Sequence, residues 1–220
     1  MSGDSREESE RTMHKKLSDE RINELLEIGI DEFAQNGLDK ANINTIAKKA
    51  QMSVGVIYKY YGDKNQFSLE CVRHSLELLR EVLDAAAGAS EDVSESIHSV
   101  VCALVTHAKK HSNYNVMYNE ITSGSAKMYA SVLAQEIETM SATVYSKLFE
   151  RAKSEGKIKN DIDSRLFAFF FDNLLMMLQF SYSCEYYKER MKIFCGEEIM
   201  DDDERMIEAF MNFMKAALGV

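Results

Sequence analysis

Tyr58, Lys59, Tyr60 and Lys64 crowd into one short stretch, directly after Ser53, Val54, Gly55 and Val56. Phenolic hydroxyls and ammonium groups at this spacing are hydrogen-bond donors, suited to phosphate oxygens and to the acceptor edges of nucleic-acid bases. Asn44 and Thr45, a little upstream, add an amide and a hydroxyl that can grip phosphate together with helix N-terminal amides. Val54, Gly55, Val56, Tyr58 and Lys59 form the expected reading surface. A glycine between two valines favours close approach and apolar contact, most naturally with thymine methyls. Lys59 is the best polar base reader, guanine its natural partner, with a phosphate contact as the alternative. Tyr61 reads as core.

Bond-making chemistry is poorly represented. Glu95-Ser96-Ile97-His98 has the E-x-x-H pattern of di-iron bundles, but a second copy and two further glutamates facing it are missing. His98 with Cys102 and His107 with His111 are each i, i+4 pairs. Their nine-residue offset is about 900° of helical turn, so the pairs face opposite sides of one helix. No Ser-His-Asp grouping, phosphate loop or dinucleotide fingerprint is present. The expectation is no catalytic residue, no metal site, no cofactor and no enzymatic activity.

The donor cluster needs elements to hold it. Ile43, Ile46, Ala47 and Ala50 recur on one helical face, Lys48 and Lys49 lie on the other, and Asn42 stands at the capping position. Gln51-Met52-Ser53 interrupts that period. Ser53 can cap a second short helix, Val54 to Tyr61, with Ile57 and either Tyr60 or Tyr61 inward. Gly62-Asp63 ends it, and Asp63 can cap a third helix from Lys64. Two short helices joined by a tight turn make a helix-turn-helix, whose second helix enters a DNA major groove. A preceding helix from Ser18 to Asn36 braces the pair through Ile22, Leu25, Leu26, Gly29 and Phe33, and Gly37 stops it.

Arg21-Ile22, Phe33-Ala34-Gln35-Asn36-Gly37, Ile46-Ala47, the run Ser53 to Tyr61 and Asp63-Lys64 together resemble the N-terminal domain of the TetR family of bacterial transcriptional regulators, over residues 18–70. The resemblance implies a homodimer on a palindromic DNA operator, most simply a repressor released by a small molecule. It also implies that Tyr58, Tyr60 and Lys64 hold backbone phosphates. Many family members carry a lysine before the reading-helix glycine and a threonine or serine after it. Val54 and Val56 stand there instead, which removes two potential hydrogen bonds.

Composition sets the frame for these elements. The 220 residues contain no proline and ten glycines, and strand-like alternation between hairpin turns is absent, so the fold is expected to be all-α. The net charge of −10 suits a DNA binder only once divided. Residues 38–65 carry five lysines against two aspartates, net +3, whereas residues 76–220 carry 15 basic and 23 acidic residues, net −8. The basic part is the part that meets phosphate. Apolar runs such as Leu166 to Phe171 and Leu174 to Leu178 are broken by Asp172-Asn173 and are too short to span a membrane. Residues 1–16 lack an apolar core, so they read as a flexible arm and not a secretion signal, with His14-Lys15-Lys16 able to lie along DNA. Four scattered cysteines, Cys71, Cys102, Cys184 and Cys195, suit a reduced cytoplasm and buried small-hydrophobe roles.

The expected organisation is an arm (1–16), a helix-turn-helix domain (17–63), a connecting helix (64–88) and a body for ligand binding and dimerisation (89–220). Helices are expected over residues 64–83, 91–110, 112–123, 125–155, 163–194 and 202–218, the fifth kinking or stopping near Cys184. Leu166, Phe167, Phe170, Phe171, Leu174, Leu175 and Leu178 cover more than one helical face. Ile207, Phe210, Met211, Met214 and Leu218 form a second apolar stripe. Helices apolar on two sides want two partners, which points to dimerisation through a four-helix bundle. Candidate pocket residues are Tyr114, Met117, Tyr118, Ile121, Met128, Tyr145, Phe149, Met176, Met177 and Phe180. Methionine and tyrosine give adaptable apolar walls with polar tips, suited to an apolar or aromatic effector. The alternative is a DNA-binding protein of the same fold without an effector, its body recruiting a protein partner.

Overall fold

Four polar side chains start the first four helices. The Ser18 hydroxyl accepts from Arg21 N, the Asn42 amide oxygen from Asn44 N at 2.9 Å, Ser53 Oγ from Val56 N at 3.3 Å and Asp63 from Gln66 N at 2.9 Å. Each satisfies an amide that the helix itself leaves unpaired. The computed structural model describes residues 17–123, 130–159, 161 and 163–218, so the expected arm at 1–16 and the pocket candidate Met128 lie outside the described residues.

Among the described residues ten α-helices follow one another: α1 Asp19–Lys40, α2 Ile43–Lys49, α3 Val54–Tyr61, α4 Lys64–Ala87, α5 Val93–Lys110, α6 Ser112–Ser123, α7 Ala130–Ser154, α8 Ser164–Ser183, α9 Glu185–Cys195 and α10 Asp203–Leu218. A 3-10 turn, Glu197–Asp201, joins the last two. The described residues contain no strand, and none of their helices is long and apolar enough to cross a membrane. The all-α expectation holds.

Several boundaries differ from the sequence reading. Gly37 does break α1 (φ +67°), but one more turn, Leu38 to Lys40, follows it before Ala41. The connecting helix runs past Leu83 to Ala87 because Leu83 and Ala86 still face a core. The expected 163–194 helix divides at Cys184, whose extended backbone (φ −99°, ψ 131°) ends α8 and starts α9.

Apolar side chains gather in two cores. One joins α1, α2, α3 and the first half of α4 (Leu25, Ile30, Phe33, Ile46, Ile57, Phe67, Val72) and also takes in Tyr114, Met117 and Ile121 from α6. The other holds Leu83, Val101, Leu104, Phe149, Phe171, Leu175, Met211 and Met214. Helix α4 contributes to both, Phe67 to the first and Leu83 to the second. The four cysteines are free; Cys71 and Cys184 are buried and Cys102 half-buried, but Cys195 is exposed at the end of α9 and plays no core role.

Candidate functional site

Helix α3 is held by one deeply buried side chain, Ile57, and turns Gly55, Tyr58 and Lys59 outward on one face at i, i+3, i+4 spacing. Tyr61 is the inward tyrosine, its ring 5.0 Å from Phe67, while Tyr60 is exposed and its hydroxyl accepts from Leu17 N at 2.7 Å. Val54 packs against the first core and Val56 is half-buried, so the two valines present less apolar surface outward than their position implies. Asn44 is exposed beside Asn42, Thr45 is half-buried, and Ser53 is spent on the cap of α3.

The turn between α2 and α3 is fixed from outside. Arg21 reaches from α1 to donate to Ala50 O at 2.6 Å, and Met52 N closes on Ala47 O at 2.9 Å. Gln51 adopts a left-handed backbone (φ 53°) to make that corner. Buried Glu32 accepts from Asn42 N at 3.2 Å and lies 3.6 Å from Lys49 Nζ, tying α1 to both ends of α2. Lys64, expected on a DNA phosphate, is half-buried and donates to Asp39 O (3.0 Å) and Ala41 O (3.3 Å). It clamps the start of α4 to the end of α1, because carbonyls freed after Gly37 need a donor. At Gly29, an added Cβ would lie 2.7 Å from Cys71 Sγ and from Phe67 Cζ, which is how closely α1 meets α4.

A second site lies in the body. Helices α4 to α8 line a half-open cavity of about 80 Å³, walled by Leu76, Leu79, Leu83, Leu104, Tyr114, Tyr118, Met140, Tyr145, Met176 and Phe180. The same wall carries polar groups that the sequence reading did not select: Ser75, His107, Asn115, Glu138, Ser141, Asp172 and Gln179. Of the expected pocket residues, Tyr114, Tyr118, Tyr145, Met176 and Phe180 line this cavity. Met117 and Ile121 belong to the first core, Phe149 to the second, and Met177 is exposed. The difference is one of rotation about each helix, which i, i+3 and i+4 spacing leaves open when a helix is apolar on several sides.

The polar wall is electrostatically unusual. His107 is buried with neither ring nitrogen hydrogen-bonded, and burial, helped by His111 and Lys110, pushes its imidazole down to about 4. Burial first, and then the Glu138 carboxylate, push Asp172 up to about 6, against the Ser141 hydroxyl, which holds it down. Tyr118 donates to Glu138 at 3.1 Å. His98, by contrast, is exposed on the other side of α5, 3.6 Å from Cys102 Sγ.

One side chain joins the two sites. Tyr114 lines the cavity, and its hydroxyl donates to Glu27 on α1, whose Oε1 is also 3.0 Å from His74 Nε2 on α4. Asn113 adds a bond from α6 to Asp31 of α1 at 2.7 Å.

Residues 25–71, the span holding the reading helix and its braces, match the family described as bacterial regulatory proteins, tetR family. Over this span the chain matches the TetR family. Among relatives of the chain, the HTH-type transcriptional regulator HbdR of Aromatoleum sp. (strain CIB) is 29% identical over 93 residues. That match spans 41% of each chain, so well under two thirds of HbdR is covered. The uncharacterized HTH-type transcriptional regulator YhgD of Bacillus subtilis (strain 168) is 24% identical over 170 residues, 76% of this chain and 86% of that one. Among solved structures, the transcriptional regulator FadR of Bacillus subtilis, in complex with stearoyl-CoA, superposes with a TM-score of 0.67 at 15% identity. It covers 89% of this chain and 96% of its own, a likeness of fold over nearly the whole molecule. The relatives named are regulators, not enzymes.

On the surface of the body, α8 leaves Leu166 (58% exposed), Phe169 (61%), Phe170 (59%), Leu174 (39%) and Met177 (37%) uncovered, and α10 leaves Phe213 (58%). Among the residues expected at a dimer interface, Phe170 and Leu174 lie on this stripe. Phe171, Leu178, Met211 and Met214 are buried in the chain's own core, and Phe167, Ile207 and Phe210 pack at its edge. The Leu218 side chain lies outside the described residues. Phe169 and Phe213 were missed because they fall between the stripes chosen from spacing alone.

Proposed function

We propose that this regulator binds a palindromic DNA operator as a homodimer, represses transcription there, and is released by a small effector held in the body. The carrying observation is the outward face of α3, where Gly55, Tyr58 and Lys59 stand exposed on a helix anchored by Ile57 and braced from α1 and α4. Tyr58, Tyr60, Asn44 and Thr45 are assigned to phosphates, with Gly55, Val56 and Lys59 toward bases, and Ser53, Val54 and Lys64 mainly to holding the helix in place. Residues 17–63 serve as the reading domain, 64–88 as the connector and 89–220 as the sensing and dimerisation body.

The exposed stripe on α8 with Phe213 of α10 supports pairing with a second copy, since an apolar face of this size is otherwise left to water. Two reading heads on one duplex double the phosphate and base contacts. The cavity supports the effector, and so does the stearoyl-CoA bound by a protein of the same fold. At about 80 Å³ the cavity holds no more than a few waters, a water's share of liquid volume being ~30 Å³. An effector must therefore widen it, pressing on α4 and α6, both of which pack on the reading domain. Ligand and operator then compete by favouring different head spacings.

Selection of random duplexes by the purified protein tests the reading. A two-fold palindrome is the expected outcome. Absence of enrichment at low salt by folded protein would remove the DNA-binding assignment. A second reading, a body that recruits a protein, has its own support in Tyr186, Ile193 and Phe194, 74%, 83% and 75% exposed on α9. Loss of partner recruitment on changing Ile193 and Phe194, with no response to any small molecule, would favour it.

A further inference from the structure

Among the described residues, the body cavity is lined by two carboxylates and by no lysine or arginine. Glu138 of α7 and Asp172 of α8 also line an adjoining groove of about 700 Å³ between these two helices, so the acidic pair stands where groove and cavity meet. Ser141 and Met176 share that boundary. The groove has bases of its own, Lys147 and Arg165, beside Glu150, yet among the described residues neither forms an ion pair with Glu138 or Asp172. Among the described residues the acidic pair has hydroxyl partners but no basic one: exposed Glu138 accepts from Tyr118, and half-buried Asp172 stands by Ser141. A half-buried carboxylate without a counter-ion is unfavourable unless something of opposite charge arrives.

A second observation points to a ligand at the same place. His107 of α5 is 7% exposed, lines the cavity and has no partner on either ring nitrogen. A buried imidazole normally satisfies at least one nitrogen. Here one N–H donor and one acceptor are held ready inside the space between the helices. Around them stand aromatic faces, Tyr118, Tyr145 and Phe180, whose negative π-surfaces attract a cation.

We propose that the effector is an organic cation, an ammonium-type head set between Glu138 and Asp172 with an apolar body against Tyr118, Tyr145 and Phe180. This rests on the sensor reading above and gives it a ligand class. His107 supplies the hydrogen-bonding contact deeper among the helices. An anionic ligand would meet two carboxylates and, among the described lining residues, no lysine or arginine, and a neutral one would leave the pair without a counter-ion.

The test uses three probes with one tail and different heads: 4-phenylbutylammonium, 4-phenyl-1-butanol and 4-phenylbutyrate. Each is titrated calorimetrically into the full chain near neutral pH, without DNA. The ammonium is expected to bind about tenfold or more tightly than the alcohol, with the carboxylate weakest. Asp172→Asn and Glu138→Gln should each cost the ammonium several-fold, and the double variant should abolish its advantage. Alcohol binding should not weaken in the variants, and a cooperative urea transition reports that they are folded. Carboxylate binding equal to or tighter than ammonium, a double variant that keeps the ammonium preference, or binding of none of the three at millimolar concentration would each overturn the proposal. Because DNA is absent, a failed duplex selection counts against the regulator reading alone. An operator that is selected while the head-group order fails counts against the cation alone.

Discussion

Lys59 is the residue on which the proposed base reading turns. It stands exposed on the outer face of α3 with Gly55 and Tyr58, whereas Lys64 is engaged with two carbonyls. Lys59→Ala should cost about 1–3 kcal/mol on the selected operator and relax preference at one base pair. Equal weakening on every duplex would make it a phosphate contact. Gly29 fixes the approach of α1 to α4. Gly29→Ala, placing a methyl 2.7 Å from Cys71 Sγ, should destabilise the fold by about 1–3 kcal/mol, read from the urea midpoint. A second residue pair opposes itself in acid. His107 is held at about 4 against 6.5 when unfolded, so its contribution is complete above 6.5 and is lost as pH falls toward 4. Asp172 is held at about 6 against 3.8, so the native state takes up its proton first and gains stability over nearly the same window as pH falls. The two nearly cancel, each amounting to about 3 kcal/mol. Asp172→Asn should therefore lose about 3 kcal/mol more stability than the parent between pH 6.5 and 4, measured by urea melts across that range. Parallel curves for the two proteins would refute the opposition.

At the scale of elements, α4 and α6 are the routes between body and reading domain. Helix α4 has its first turn against α1 through Lys64 and its later turns in the cavity wall and second core. Helix α6 puts Met117 and Ile121 into the first core and Tyr114 both in the cavity wall and on Glu27. On the proposed mechanism, a change of cavity width would reach α1 through these contacts. Tyr114→Phe keeps the packing and removes the bond to Glu27. Amide exchange of α1 around Glu27 should respond to 4-phenylbutylammonium in the parent and respond less in Tyr114→Phe. An undiminished response would move the coupling onto α4. Much of this level was legible in the sequence. The four capping side chains, the buried face of α2 and the inward Ile57 are set by neighbours three or four positions away, which spacing displays directly. The division of the 163–194 segment at Cys184 was visible only as a fall in apolar content.

For the whole molecule, the uncovered stripe on α8 and Phe213 of α10 are the proposed contact with a second copy. Phe170→Glu combined with Leu174→Glu should shift the particle measured by light scattering from about twice the 25.1 kDa chain mass to the chain mass itself. An unshifted dimer would place the contact elsewhere, α9 being the next exposed apolar surface. Sequence by itself determined the helical class, the caps, the reading helix and the separation of a basic reading segment from an acidic body, because these follow from local spacing and from charge counts. Tertiary structure alone decided the rest. It turned Lys64 inward as a clamp and sent Met117 and Ile121 to the first core. It also brought His107, Glu138 and Asp172, from three separate helices, to one cavity. Periodicity fixes which side of a helix is apolar. It cannot fix which neighbour that side meets, and a site assembled across helices exists only once those neighbours are chosen.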